Sequence, residues 1–175
     1  TVAPVPVYPS LVLGALPLAQ FGTEEQKRRW LPGIASGERL LTAALSEFES
    51  SDPRTPATRA ETQADGYRLS GIKTNVPYAE QASQILIPAR FADGSIGLFF
   101  VDPNGAGVTL AAQTTPDGQP HSRIELTGAS VAADARLHPH GDGGSALRWL
   151  VDRATAARCM MPLGVTERAL EMTSQ

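Results

Sequence analysis

The sequence predicts an α+β protein: a helical N-terminal segment, a central β-domain of short strands and a C-terminal helix. Apolar residues recur at helical spacing over residues 8–37. Short apolar runs punctuated by Gly, Pro and Asp-Gly fill residues 40–137. A three-and-four apolar spacing then returns after Gly143-Gly144-Ser145. The expected division is residues 1–38, 39–138 and 139–175.

In the first zone, Thr23-Glu24-Glu25-Gln26 is a capping box: the Thr23 hydroxyl serves the Gln26 amide and the Gln26 side chain reaches back. Glu24 and Glu25 suit the positive end of the helix dipole. Trp30, Leu31 and Ile34 form one apolar face, which Gly33 or Gly37 ends. Leu11, Leu16, Leu18 and Phe21 predict a shorter helix upstream, interrupted near Pro17.

In the second zone, Leu40 to Ser46 reads as a buried strand. Ala57 to Gln63 and Tyr67 to Leu69 flank Ala64-Asp65-Gly66, a hairpin signal. Ile85 to Ala89 and Ile96 to Val101 follow, separated by Ala92-Asp93-Gly94. Val108 to Ala111, Ser122 to Leu126 and Ala129 to Ala133 complete the set. Short strands at this spacing predict a barrel or sandwich rather than a parallel α/β sheet. In the third zone Leu147, Leu150, Val151, Ala154, Ala157, Met161, Val165, Ala169 and Leu170 share a helical face. Pro162 interrupts it and should kink the helix or cost a hydrogen bond.

Composition narrows the function. The 175 residues carry 15 Lys and Arg against 18 Asp and Glu, a net charge of −3, so no general attraction to nucleic acid is expected. The single cysteine, Cys159, excludes an internal disulfide and fits a reducing, cytoplasmic setting. No run of apolar residues is long enough to span a bilayer, and no basic n-region precedes Leu18. The chain begins at Thr1 and reaches Gln175 inside a helical pattern with no stop signal, so a segment of a longer protein is expected.

Generic catalytic strings are absent: no GxSxG, CxxC, HExxH or Walker A. His138-Pro139-His140 with Asp142 holds metal-type donors, but reads first as a polar loop before a helix, so no metal is assigned. Gly141-Asp142-Gly143-Gly144 resembles a phosphate cradle, yet carries an acid and no basic residue before Arg148, so a flexible linker is the plainer reading. Glu47, Glu49 and Asp52 follow a strand and read as a solvated acidic cluster, with paired acid–base work as the alternative.

Longer strings add a resemblance. Gly22-Thr23-Glu24-Glu25-Gln26-Lys27, continuing through Leu31-Pro32 and Ala35-Ser36-Gly37-Glu38, resembles the helix that leads acyl-CoA dehydrogenases into their central β-domain. Ala44-Leu45-Ser46-Glu47 is similar to that family's "L-T-E" strand end. Gly66-Tyr67-Arg68-Leu69-Ser70-Gly71-Ile72-Lys73 is similar to its "G-Y-x-L-x-G-x-K" hairpin. Ala129 to Ala132 resembles a late family strand, and Leu163-Gly164 with Ala169-Leu170 its first long C-terminal helix. The likeness runs along essentially the whole chain, matching about the middle half of a family member.

That resemblance implies an α+β fold with a helical N-terminal segment, a central antiparallel β-barrel and the start of a C-terminal helical bundle. It also implies an FAD flavoenzyme that dehydrogenates an acyl-CoA thioester and passes electrons to an electron-transfer flavoprotein. The cofactor supplies the redox chemistry and the protein stacks the substrate against it. The catalytic base lies beyond the segment matched here, so no catalytic residue is assigned. Leu45 and Ser46 take the places that meet the flavin pyrimidine. Ser51 takes the place of a phosphate- and substrate-binding serine, although Phe48-Glu49-Ser50-Ser51-Asp52 is a residue shorter than the family turn and lacks its glycines. Asn75 stands where the family stacks an aromatic ring, and Pro77 where a Thr donates near flavin N5; proline has neither hydroxyl nor N–H. Tyr78 offers a ring, three positions out of place. Two readings stay open: an FAD-dependent acyl-CoA dehydrogenase, or a flavin-poor subunit paired with a catalytic paralogue. The implied assembly is a homo- or heterotetramer.

Overall fold

The computed structural model describes residues 6–50, 52–116, 118–138 and 141–174. Its order is a π-helical segment Tyr8–Ala15 running into α1 (Leu16–Phe21), then α2 (Glu24–Ala35), eight strands, and α3 (Gly143–Thr173). The strands are β1 (Leu41–Ala43), β2 (Arg59–Gln63), β3 (Gly66–Pro77), β4 (Gln84–Arg90), β5 (Ile96–Val101), β6 (Val108–Gln113), β7 (His121–Ala132) and β8 (Arg136–Leu137).

The helix expected to be interrupted near Pro17 instead runs on through it: the wide Tyr8–Ala15 turns pass directly into α1, and Pro17 is tolerated because it falls in the first α-helical turn. The capping box forms in full, Gln26 N donating to Thr23 Oγ1 at 3.2 Å and Thr23 N to Gln26 Oε1 at 3.1 Å. Gly37, at φ 80°, turns the chain out of α2 and donates its N–H to the Ile34 carbonyl. Gln26 does more than cap. Its Nε2 reaches the carbonyls of Asp134 at 2.7 Å and Arg136 at 3.1 Å, fastening α2 to the β7–β8 connection.

The strands form one mixed sheet in the order β6-β7-β3-β2-β4-β5-β8, with β1 pairing β4. It stays open, which corrects the expected barrel: β6 and β8 end the order and do not pair with each other. Nor is it purely antiparallel, because β1 and β2 both lie parallel to β4. β2 meets β4 only at Arg59 opposite Arg90. β3 and β7 are long, bulged strands, where the sequence pattern predicts shorter ones. The Ser122–Leu126 and Ala129–Ala133 runs merge into β7 across Gly128, at φ 63°. Gly71 marks the β3 bulge; a Cβ there would come within 2.8 Å of the Thr58 Cα.

Two cores share the sheet, which is why β4 and β5 are continuously apolar. Ile85, Ile87, Phe99 and Val101 face an inner core with Leu69, Val76 and Ile124. Leu86, Leu98 and Phe100 point the other way, toward Leu13, Leu18, Ile34, Leu147, Leu150 and Val151 on the helices. This second core fixes α3 against the sheet and so sets one wall of the site.

Asp142 caps α3, accepting from Gly144 N at 2.9 Å and Ser145 N at 3.0 Å. The first free amides of the helix are therefore satisfied by a side chain, in keeping with the linker reading. His138, at φ 55°, packs its ring 5.3 Å from Phe21. Pro139 and His140 lie outside the described residues.

Replacing Gln26 by Leu removes one capping arm and orphans two carbonyl contacts. A loss of about 1–3 kcal/mol is expected, read as a fall in the thermal midpoint of about 2–12 °C. An unchanged midpoint would show the side chain to be idle.

Candidate functional site

Among the described residues the most deeply buried ion pair lies where β1 ends. The chain leaves β1 through Ala44 and Leu45, and the Ser46 carbonyl accepts from Thr74 N at 2.9 Å, laying residues 45–47 beside the middle of β3. The side chains of Glu47 and Lys73 then meet as an ion pair, only 3% and 1% exposed. Lys73 Nζ donates also to the Pro88 carbonyl at 2.8 Å. Glu47 accepts in addition from Thr58 Oγ1 at 2.6 Å, Thr58 N at 3.1 Å and Ala57 N. Glu47 is therefore not part of a solvated cluster: the expectation fails because its partners lie 10 to 26 residues away in sequence. Asp52 does stay at the surface, capping a turn at Arg54 N, and Glu49 is exposed.

Burial pushes the Lys73 ammonium down to about 8, with the Glu47 carboxylate opposing that shift. For Glu47, burial alone would raise the carboxyl; the Lys73 charge and the Lys73, Thr58 and Ala57 donors overcome it and hold it below the usual range. The pair thus carries both a desolvation cost and its own compensation.

Next to this anchor lies a cleft of about 630 Å³. Its walls come from three places: Tyr8, Pro9, Val12 and Leu13 of the π-helical segment; Leu45, Ser46, Asn75, Pro77 and Tyr78 of the sheet; and Val151, Ala154, Arg158 and Met161 of α3. The family resemblance marks Leu45, Ser46, Asn75 and Pro77 as candidates, and the structure brings all four to this one cleft. Ser51 lies outside the described residues. Sequence reasoning misses Tyr8, Gln119, His121 and Arg158, which also line it. No local motif marks them, and only the π-helical turn around Tyr8 is a feature often found at functional sites.

Local geometry decides what the sheet wall offers a ligand. Asn75 sits in the β3 bulge at φ 51°, and its N–H donates to Gln113 Oε1 at 2.8 Å. Pro77 has no N–H. The Tyr78 N–H donates to the Pro120 carbonyl at 2.8 Å, and its hydroxyl to Gln119 Oε1 at 2.5 Å. Val76 is fully buried, in register with Ser122. The Ser46 hydroxyl, by contrast, lines the cleft with no hydrogen bond among the described residues. Opposite, the Tyr8 ring lies 5.9 Å from the Arg158 guanidinium; burial raises the Tyr8 phenol, against the pull of Arg158, and keeps it a neutral donor.

A helical flank, an open twisted sheet and a long helix enclosing one largely apolar cleft define an α+β scaffold suited to an extended ligand. Comparisons with known proteins make that specific. Residues 2–38 match the family "Acyl-CoA dehydrogenase, N-terminal domain". Acyl-CoA dehydrogenase FadE27 of Mycobacterium tuberculosis is 35% identical over 99% of this chain and 44% of its own length. FadE28 of the same organism is 37% identical over 78% of the chain and 39% of its own length. Among solved structures, the ChsE4–ChsE5 complex from Mycobacterium tuberculosis superposes with a TM-score of 0.87 at 35% identity, over 98% of this chain and 45% of that one. A glutaryl-CoA dehydrogenase from Mycobacterium smegmatis in complex with FADH2 gives 0.75 at 26%, over 82% and 38%. Along nearly its whole length the chain is similar to acyl-CoA dehydrogenases. It spans less than half the length of the curated relatives named here.

The family implies FAD, and the sheet wall tests that implication. A flavin ring edge needs donors from the strand it lies along. Here the Asn75 and Tyr78 amides are already bonded within the protein and Pro77 has none to give. The Ser46 hydroxyl is a donor in place, but the Asn75–Tyr78 stretch does not fit a flavin edge.

The Glu47–Lys73 pair yields a test by variants and by pH. Glu47→Gln leaves a buried ammonium without its counter-charge and should cost about 3–5 kcal/mol in urea unfolding. Glu47→Leu combined with Lys73→Met should lose clearly less than Glu47→Gln alone. Because the folded chain sheds the Lys73 proton near pH 8 and the unfolded chain near 10.5, this group's contribution to stability rises with pH across that window. The Lys73→Met protein should lack that slope; an identical slope in both would remove the assignment.

Proposed function

We propose that this chain belongs to a subunit of an acyl-CoA dehydrogenase, an oxidoreductase assembly that removes hydrogens from the α and β carbons of an acyl-CoA thioester. Within that assembly it is the flavin-poor partner, paired with a paralogous subunit that holds FAD and the base. The tetramer is heteromeric, cytoplasmic, and delivers its electrons to an electron-transfer flavoprotein. Residues 1–38, 39–138 and 139–175 are the end of the helical N-terminal domain, the β-domain and the first helix of the C-terminal bundle.

One observation carries the choice of partner subunit: the stretch Asn75 to Tyr78 turns no free backbone N–H toward the cleft. A buried acceptor left without its donor costs about 1–3 kcal/mol, so a flavin laid here would bind weakly. What the cleft does offer is apolar wall, from Val12, Leu13, Leu45, Val151 and Met161, suited to the hydrocarbon part of an acyl thioester. The likeness to the ChsE4–ChsE5 complex supports a two-subunit assembly. A second reading, in which this chain itself grips FAD, is favoured by the free Ser46 hydroxyl at the rim, with Leu45 beside it. In that reading the phosphate- and substrate-binding role falls to Ser51 by resemblance.

An absorption spectrum separates the two. The full-length protein purified alone should show no flavin bands near 370 and 450 nm, and the bands should appear on co-expression with its paralogue. One flavin per chain in the isolated protein would defeat the partner-subunit reading. Asn75→Trp with Pro77→Thr restores a ring and a donor and should tighten FAD binding by about tenfold or more in titration. No change would clear Pro77 of the blame.

A further inference from the structure

Arg158 stands out among the residues around the cleft. It sits on α3 at helical spacing from Val151, Ala154 and Met161, and so on the face that lines the cavity. The basic side chains of the inner half of α3 are engaged elsewhere. Arg148 lies 3.7 Å from Asp142, and the Arg153 guanidinium lies 3.7 Å over the Trp149 ring. Arg158 meets only the Tyr8 ring and hydroxyl, and has no carboxylate partner among the described residues. Among the described residues the cleft lining contains no Asp or Glu, and Arg158 is its only Lys or Arg.

A plain alkyl chain offers nothing to that corner. Filling the cleft with hydrocarbon would strip water from a guanidinium and a phenol and return no hydrogen bond, an uncompensated desolvation. A ligand carrying an anionic oxygen pair would instead receive a planar fork of N–H donors from Arg158, with a neutral phenol alongside. Arg158 is exposed and Tyr8 half-buried in the chain alone; a ligand that covered these donors without offering an acceptor would leave them unpaired, so the corner discriminates against analogues that lack the anionic group.

We propose that Arg158, with Tyr8 beside it, is a specificity site for a carboxylate carried on the acyl portion of the thioester, away from the CoA end. The substrate class is then a bulky or extended acyl-CoA bearing a second acid group. This inference rests on the reading that the cleft takes the acyl part of an acyl-CoA.

The test uses the full-length protein in complex with its paralogue and titrates two synthetic thioesters of equal chain length, one ending in a methyl and one in a carboxylate. The carboxylate-ended thioester should bind at least tenfold tighter. Arg158→Met should erase that difference by weakening the carboxylate-ended ligand without weakening the methyl-ended one, and Arg158→Lys should keep part of it. Equal affinities in the unaltered complex, or a preference that survives Arg158→Met, would overturn the assignment and leave the acyl-cleft reading standing. An equal loss for both thioesters in Arg158→Met would place the arginine on the shared CoA phosphates, again overturning it. Failure of both to bind would take the acyl-cleft reading down with it.

Discussion

One buried charge pair governs the geometry of this protein. Glu47 leaves the end of β1 and Lys73 projects from the middle of β3, and each needs the other because neither reaches water. A lone carboxylate or ammonium at that depth is prohibitively costly, so the two segments are held in one register. Ser46 and Asn75, on either side of the anchor, open into the same cleft as a consequence. The donors from Thr58 and Ala57 extend the grip to the segment entering β2, and the Pro88 carbonyl extends it to β4. Four parts of the sheet that are distant in sequence converge on two side chains.

The cleft is what remains when that fixed edge meets two helical surfaces. The π-helical segment and α3 dock through Leu13, Leu147, Leu150 and Val151 onto the far face of β4 and β5, and a hydrogen-bonded ion pair between Arg54 and Asp152, 2.8 Å apart, ties α3 to the loop after β1. Hydrocarbon dominates the walls, and polar groups sit at particular points: Ser46 on the sheet, Tyr8 and Arg158 across from it. The strand stretch opposite spends its amides internally. Gln113 takes the Asn75 amide and relieves a residue held at positive φ, where a side chain is uncomfortable. The bulge that prevents a ligand from using the strand is thus stabilised by the strand's own neighbour.

Much of the scaffold is legible in the sequence, and the reasons are local. The capping box at Thr23, the β5 run Ile96–Val101 and the turn at Gly37 each rest on contacts within a few residues, so sequence pattern suffices. The site is another matter. The long strands β3 and β7 read as shorter pieces in the sequence because Gly71 and Gly128 look like breaks and act as bulges. Pattern alone does not tell an open sheet from a closed one, since closure depends on pairing between β6 and β8, the two most distant edges. Glu47 looks solvated because its counter-charge is far along the chain. Leu45, Ser46, Asn75 and Pro77 are legible only through resemblance, and Arg158 only through the way α3 turns it toward Tyr8.

Helix α3 leads a double life. Up to Ala154 it is packed on the sheet; from there to Thr173 it holds Met160, Met161, Leu163, Val165, Leu170 and Met172 in contact with solvent. An unsupported helix of that length is marginal in water, and Pro162 deprives it of a bond midway. Amide protons before Ala154 should therefore outlast those after it by orders of magnitude in exchange, unless something apolar lies against the outer half. Because Arg158 and Met161 stand on that outer half, the shape of that end of the cleft is coupled to whatever steadies the helix.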